Sequence, residues 1–216
     1  MKKCDIQPEA VVWLVRDSIR LADNPSLLAA VQEAQQHGIS LIPLACLGPS
    51  RWAGRQFGLA RAGKVWRRFR IEALLDLKSE LELQASTLWI SSEDVVDTIN
   101  TISETISVRC VVTDLPLATE ESLENAALVN ASYRVIEVET DELFNKAQLP
   151  FPLDELPPTF SKFRRVIEKK SAINPPTPLG IPKLPLVPEQ LRSNPPKWLA
   201  QLEIERLPSQ THLIGG

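Results

Sequence analysis

One stretch of the chain combines positive charge with aromatic rings in a way that could bind phosphate groups or stacked bases. Residues 51–70 contain seven Lys or Arg residues and no Asp or Glu, and two Trp and two Phe residues are spaced among them. Cationic side chains neutralise phosphates, and aromatic side chains stack on nucleobases. The side chains predicted to contact phosphate are Arg51, Arg55, Arg67 and Arg68. The alternative is a solvated helix face opposite an apolar stripe, which the net charge of −3 favours.

A second cluster of charged and polar side chains follows the first apolar run of the chain. Its members are Arg16, Arg20, Asp23 and Asn24. The carboxyl end of a strand is where ligands and neighbouring domains dock in α/β proteins, so this cluster predicts a partner or domain interface. The structural alternative is a helix cap formed by Asp23 or Asn24, together with an ion pair from an arginine to Asp17 or Asp23.

Three kinds of chemistry lack their sequence motifs. The turn at residues 16–20 has no glycine, which excludes the dinucleotide fingerprint of a dehydrogenase. Residues 58–65 read GLARAGKV and approach a phosphate-binding loop, but valine stands in place of the Ser or Thr that binds magnesium, so we interpret the match as a coincidence. The histidines, His37 and His212, lie at a predicted helix end and in the tail, so neither a Ser-His-Asp triad nor a histidine zinc site is indicated.

The apolar runs and helical patterns predict the fold that positions these residues. The predicted strands are 11–16, 39–47, 86–91, 107–113 and 134–138, and the predicted helices are 25–37, 60–84, 92–105 and 119–130. Four strands are apolar on both faces, as in a covered parallel sheet. The order βαβαβαβαβ predicts an α/β fold with a five-stranded, doubly wound, Rossmann-like parallel sheet. The helix over 60–84 is expected to bury one apolar stripe that includes Trp66 and Phe69.

Proline divides the chain into two parts. Thirteen of the 18 prolines lie between Pro150 and Pro208, so we predict one domain over residues 1–149 and a proline-rich arm over 150–216. Proline lacks an N–H and fixes φ, so the arm is expected to be extended, with one helix near 159–170.

The composition also predicts where the protein works. No apolar run approaches 18 residues and the N-terminal apolar run is short, so neither a membrane span nor a signal peptide is expected. The three cysteines, Cys4, Cys46 and Cys110, are interpreted as reduced residues of a cytoplasmic protein.

Four separated segments resemble the DNA photolyase/cryptochrome family, most closely its DASH cryptochrome branch. The segment VVWLVRDSIRLADNPSLLAAV is similar to the family's opening, approximately W-F-R-x-D-L-R-L-x-D-N-P-A-L. FRIEALLDLKSEL looks like a family helix, and LPFPLDELPPTFSKFRRVIEK looks like the DASH interdomain segment. The final residues 213–216 resemble the entry into the family's next domain. The matching positions of the opening segment are Arg16, Arg20, Leu21, Asp23, Asn24, Pro25 and Leu27.

The resemblance implies an α/β antenna-type domain without the helical half that holds FAD and DNA in that family. Such a chain is expected to be non-catalytic alone, as a subunit or fragment of a photolyase-like enzyme, and to meet FAD only through a flavin-bearing partner chain. It is expected to bind nucleic acid weakly or not at all. The residues expected at the partner interface are Arg16, Arg20, Asp23, Asn24, Phe163 and Arg164.

An antenna chromophore of the folate or deazaflavin type is the cofactor that the resemblance leaves open. The DASH branch has an acidic folate contact in the turn after the fourth strand, where this chain has Pro116, so that contact is lost. A different antenna would lie between the ends of the second and fourth predicted strands. The residues predicted to line that pocket are Cys46, Leu47, Gly48 and Asp114.

Two other functions stay open on the sequence. The chain could be a degenerate protein-interaction scaffold without a chromophore. It could also be a nucleotide-binding α/β protein that uses the basic stretch at residues 51–70.

Overall fold

The protein forms a five-stranded parallel sheet with helices on both faces. The computed structural model describes residues 7–52, 54–140, 146–170 and 180–193. The strands are β1 (Glu9–Leu14), β2 (Ser40–Cys46), β3 (Arg55–Gln56), β4 (Leu59–Ala60), β5 (Trp89–Ser91), β6 (Ser107–Asp114) and β7 (Val135–Val138). The main sheet has the order β5-β2-β1-β6-β7, and β3 and β4 form a separate antiparallel hairpin. The predicted doubly wound α/β fold is confirmed.

Five helices match the predicted ones, with ends that differ by up to four residues, whereas the short helices over 49–52 and 189–193 were not predicted. The helices are α1 (Pro25–His37), α2 (Pro49–Trp52), α3 (Lys64–Leu83), α4 (Val95–Ser103), α5 (Thr119–Asn130), α6 (Phe160–Lys170) and α7 (Glu189–Ser193). Strand β5 is shorter than predicted because it pairs with β2 only along Leu44–Cys46. The sequence analysis missed the β3–β4 hairpin, since two-residue strands have no detectable hydrophobic period.

Two apolar layers cover the two faces of the sheet. One layer joins the strands to α1 and α3, and the other joins them to α4 and α5. Trp13 of β1 is fully buried in the first layer. Its indole N–H donates a hydrogen bond to Ser26 Oγ at 3.1 Å, so the ring's polar atom is satisfied inside the core.

Helix α1 is capped by the Asn24 side chain at its start and by Gly38 at its end, and the sequence singles out both residues. The Asn24 Oδ1 atom accepts a hydrogen bond from the Leu27 N–H at 3.0 Å. The Asn24 amide also donates to the carbonyl oxygens of Ser18 and Arg20, which fixes the turn between β1 and α1. Gly38 ends the helix with φ of 64°, a left-handed conformation that glycine adopts without strain.

Helix α3 differs from its prediction at its amino end. Leu74, Leu77 and Leu81 are buried as expected, but Trp66 and Phe69 are 42% and 43% exposed. The expectation that the apolar stripe buries these two rings is therefore wrong. The buried face instead includes Arg70 and is centred near Leu74, and Phe69 lies roughly 140° around the helix axis from Leu74.

Part of the proline-rich arm packs against the amino edge of the sheet. The Leu41 N–H donates to the Leu186 carbonyl at 3.2 Å, and Val187 and Leu191 are buried in the core layer of α4 and α5. Helix α6 lies where the sequence predicts one and buries Ile167. Among the described ranges, no helix is both long enough and apolar enough to cross a membrane.

Candidate functional site

The carboxyl ends of β1 and β6 and the start of α5 enclose a buried arginine. Arg16 is 3% exposed, and its guanidinium donates to Glu124 Oε2 at 3.2 Å and to Asn125 Oδ1 at 2.6 Å. The Asn125 amide in turn donates to Glu137 Oε1 at 2.7 Å. A buried charge is stable only when it is paired and hydrogen-bonded, and this network provides both. Arg16 thus joins β1 to α5 at the switch point of the sheet, where ligands bind in this architecture.

A second buried arginine closes the same edge from α3. Arg70 donates to the Arg16 carbonyl at 2.7 Å and to Asp17 Oδ1 at 2.9 Å. Its guanidinium also lies over the Trp66 ring, 5.6 Å from the ring centroid. From the sequence, Arg70 is only one of the seven positive charges of the basic stretch. Its place on the buried face of α3, next to Ile71, is the signal that could have separated it from its neighbours.

Asp114 ends β6 and borders a small cleft. Its side chain is 95% buried, since the residue is 5% exposed. Its Oδ2 atom accepts a hydrogen bond from the Ser18 N–H at 3.3 Å, whereas Oδ1 has no hydrogen-bond partner within the described ranges. The cleft has a volume of about 130 Å³, and Pro116 and Leu117 form part of its wall. Asp114 could accept one more hydrogen bond, but the space beside it is small.

The end of β2 packs against α4, on the far side of β1 from Asp114. The Leu47 N–H donates to the Ser91 carbonyl, and Cys46 Sγ donates a long hydrogen bond of 3.7 Å to Thr98 Oγ1. A Cβ atom added to Gly48 would lie 2.0 Å from Asp94 Oδ1, so the backbone there touches the start of α4. Of the four residues predicted to line an antenna pocket, Cys46, Leu47 and Gly48 thus lie at the end of β2 and Asp114 lies at the end of β6; that they hold a chromophore stays a prediction.

The thiol of Cys46 is predicted to be chemically inert. Burial raises its pKa to about 12, although the hydrogen bond with Thr98 opposes this shift. At pH 8 the thiolate fraction, and with it the alkylation rate, is expected to fall about a thousandfold below that of an unperturbed cysteine. Iodoacetamide labelling followed by peptide mass mapping measures the rate. The same reaction in denaturant is the control, and rapid labelling of Cys46 in the native protein would contradict the burial argument.

Three cavities at the carboxyl edge of the sheet share lining residues and together form one continuous surface. A cavity of about 310 Å³ and another of about 430 Å³ share Arg61 and Glu120, which form an ion pair. Glu121 lines both the second cavity and the cleft at Asp114. Exposed apolar side chains stand around these cavities. We call this area the carboxyl-edge surface and define it by Arg61, Trp66, Leu117, Glu120 and Leu123.

Comparison with known proteins explains this architecture. The family model for DNA photolyase matches residues 10–183, most of the chain. The chain belongs to the DNA photolyase family. It is 28% identical to the Cryptochrome DASH of Gloeobacter violaceus over 82% of this chain and 36% of that protein. It is 25% identical to the Cryptochrome DASH of Natronomonas pharaonis over 95% of this chain and 43% of that protein. The resemblance stated from the sequence motifs is confirmed.

Solved structures of this photolyase family share the fold. The Synechocystis cryptochrome superposes with a TM-score of 0.72 at 24% identity, covering 84% of this chain and 37% of that one. An archaeal photolyase from Sulfolobus tokodaii, solved with two FAD molecules, superposes with a TM-score of 0.57 at 18% identity, covering 76% and 36%. The chain spans less than half the length of these relatives.

Two of the predicted interface residues have structural roles in this photolyase-family domain. Asn24 caps α1, and Arg16 is buried in the polar network. Arg20 donates to the Asp23 carbonyl, and Asp23 adopts a positive φ of 48° in the same turn. Whether any of these residues also meets a partner stays a prediction.

The two interface residues predicted on the arm lie on α6. Phe163 is half-buried and packs edge-on against Phe151, with ring centroids 5.8 Å apart. Arg164 pairs with Glu168 at 2.7 Å on the same helix, and its side chain is 64% exposed. These contacts hold the aromatic side chains of the arm together and leave the charged face of the helix open.

The basic stretch is engaged with the protein's own atoms. Arg55 donates to the Gly58 carbonyl, and Arg68 donates to Glu72 Oε1 at 2.6 Å. The Arg67 guanidinium lies 5.2 Å from the centroid of the Trp52 ring. The Arg51 side chain lies outside the described part of the structure. These internal contacts would compete with any phosphate for the same arginines.

Proposed function

We propose that the chain is a non-catalytic photolyase-type N-terminal domain that docks onto a flavin-bearing helical region through its carboxyl-edge surface. The observation that carries the proposal is the exposure of Trp66, Leu117 and Leu123 around a switch point that Arg16 and Arg70 already close. Exposed aromatic and aliphatic side chains beside an ion pair are typical of a protein interface. The relatives are more than twice as long as this chain. The expected partner is therefore a helical region, either on a separate chain or joined to this one.

The residues at the switch point do not fit an antenna chromophore of the folate or deazaflavin type. Pockets for ligands of that size have volumes of about 300–1,000 Å³. The cleft beside Asp114, at about 130 Å³, is well below that range, and Gly48 packs directly against Asp94. The cavities of about 310 and 430 Å³ reach that range, but the ion pair between Arg61 and Glu120 lines both of them. Pro116 offers no side-chain acceptor at the position where the DASH branch has an acidic residue. We therefore favour docking over light harvesting as the role of this domain.

Nucleotide binding is the weaker alternative. A phosphate site needs cationic side chains that can leave their present partners at little cost. Here Arg61 pairs with Glu120, Arg68 with Glu72 and Arg70 with Asp17. We infer that any binding to nucleic acid is weak and salt-dependent.

A chimera tests docking in the arrangement that the family fold suggests. This chain would replace the corresponding N-terminal region of the Synechocystis cryptochrome, which it resembles with a TM-score of 0.72. Joining the two parts raises their effective concentration, so even a weak interface is expected to form. The expected chimera purifies with one FAD per chain and unfolds in a single transition.

Matched variants make the chimera informative. Trp66→Asp places a charge on the carboxyl-edge surface and is expected to split unfolding into two transitions. Leu83→Asp is the control, because Leu83 is 85% exposed at the opposite end of α3. A chimera that unfolds in two transitions without any substitution would contradict the proposed docking.

A further inference from the structure

The β3–β4 hairpin presents an aromatic side chain at a strained position. Phe57 and Gly58 form the two-residue turn, with φ of 51° and 78°. Two positive φ values define the turn class that favours Asn-Gly, and a bulky residue at the first position is strained. Phe57 is also 95% exposed, so its ring is not buried within the chain. The strained φ of Phe57 and the exposure of its ring to water both cost free energy. Such a cost suggests that the ring binds a partner molecule.

The stretch of sequence that contains the hairpin carries only positive charge. Residues 51–71 contain no Asp or Glu, and Arg55, Arg61 and Lys64 flank the turn in sequence. Leu59, next to the turn, is exposed as well. The tip of the hairpin is therefore apolar, and positively charged side chains flank it. It is complementary to an apolar pocket with an acidic rim.

The same chain contains such a pocket beside the hairpin. The cavity of about 310 Å³ has an apolar wall that includes Val95, Val96 and Ala127. Its carboxylates are Asp94, Glu120 and Glu124. Arg61 lines this cavity and follows β4 directly, and its N–H donates to the Gly54 carbonyl at the base of the hairpin. Hairpin and cavity are thus neighbours on one face.

We propose that the hairpin docks into this cavity of a second copy of the chain, each copy inserting its Phe57 into the other. Two complementary features that lie side by side on one surface can close a two-fold dimer, because each copy supplies both. The contact area of one hairpin is small, so the dimer belongs to the weak, transient class. The cavity is part of the carboxyl-edge surface, so self-association and docking of a flavin-bearing region would exclude one another.

A single-stranded nucleic acid is the other occupant that a basic, aromatic hairpin could bind. Glu120 pairs with Arg61 next to the hairpin, and Asp94 and Glu124 line the same cavity, so these carboxylates would repel a phosphate backbone. The second copy is favoured because its cavity brings carboxylates to the basic hairpin, and its hairpin brings positive charge to the carboxylates of the first copy's cavity.

Sedimentation velocity of the nuclease-treated full chain, over a wide concentration range, tests the proposal. The wild-type chain is expected to show a reversible monomer–dimer equilibrium. Phe57→Asn is expected to raise the dissociation constant at least tenfold, since an anchor side chain is lost. The same substitution is expected to raise the melting temperature of the monomer, because Asn-Gly suits the turn. Leu83→Asn, at another exposed leucine, is the control that leaves both quantities nearly unchanged.

A mixing experiment tests the reciprocal geometry. Ala127→Phe fills the cavity from an exposed position of α5 and is expected to abolish the dimer on its own. A mixture of Phe57→Asn and Ala127→Phe chains retains one intact hairpin–cavity contact, so mixed dimers are expected to form. A wild-type chain that stays monomeric at all concentrations, a dimer that survives Phe57→Asn, or a complex that needs nucleic acid would overturn the proposal. None of these results would affect the chimera, so the docking proposal is judged separately.

Discussion

Replacing Gly48 with alanine is expected to lower the free energy of unfolding by about 3 kcal/mol, the upper end of the range for overpacking. The new Cβ atom would lie 2.0 Å from Asp94 Oδ1 and 2.6 Å from both Cα and N of the same residue. Backbone atoms at the start of α4 cannot move aside as a flexible side chain can. Relief of the clash therefore requires α4 to shift relative to β2.

Urea denaturation measures this loss as a lower midpoint with an unchanged slope. Gly63→Ala is the matched control, because φ there is −70° and no atom lies within 4 Å of the added Cβ. Because Gly63 is the N-cap of α3, where glycine is preferred over alanine, that substitution is expected to cost about 1 kcal/mol or less. Equal midpoints for the two variants would show that the end of β2 is not packed against α4.

Replacing Arg16 with methionine is expected to destabilise the protein by about 3 kcal/mol, the effect of removing one partner from a buried ion pair. Methionine fills much of the same space but leaves the Glu124 carboxylate and the Asn125 carbonyl without their guanidinium donor. For a protein of this length the loss corresponds to a melting temperature lower by roughly 10 °C.

The control for Arg16 is a surface ion pair of the same chemistry. Arg164 pairs with Glu168 one helical turn away, and both side chains are more than half exposed. Arg164→Ala is expected to change the free energy of unfolding by about 0.5 kcal/mol or less, because solvent screens exposed pairs. A similar melting temperature for both variants would contradict the role assigned to the buried network at the switch point.

The sequence predicts the sheet and its helices well because their signals are local. Hydrophobic period, the Asn24-Pro25 start and the Gly38 stop of α1 all lie within the elements that they define. The exposure of Trp66 and Phe69 could not be predicted in the same way. It depends on where α3 meets the sheet, and a helical period alone cannot fix that.

The candidate site depends on contacts between residues far apart in the chain. Arg70 pairs with Asp17 across 53 positions, and Arg16 reaches Asn125 across 109. The sequence marks Arg16 as notable but cannot indicate that α5 supplies its partners. The structure also shows where the phosphate-loop-like run at residues 58–65 lies. Gly58 lies in the hairpin turn and Gly63 at the start of α3, well after the end of β2.

The absorption spectrum of the purified chain tests most directly whether this domain carries a chromophore of its own. The protein would be expressed in cells that make folates and flavins, and its spectrum recorded before and after denaturation, which releases any bound pigment. Arg16 and Arg70 close the switch point, and the cleft at Asp114 has a volume of only about 130 Å³. We therefore predict no absorption band beyond that of the aromatic side chains. A near-ultraviolet or blue band from one folate, deazaflavin or FAD per chain would contradict this prediction.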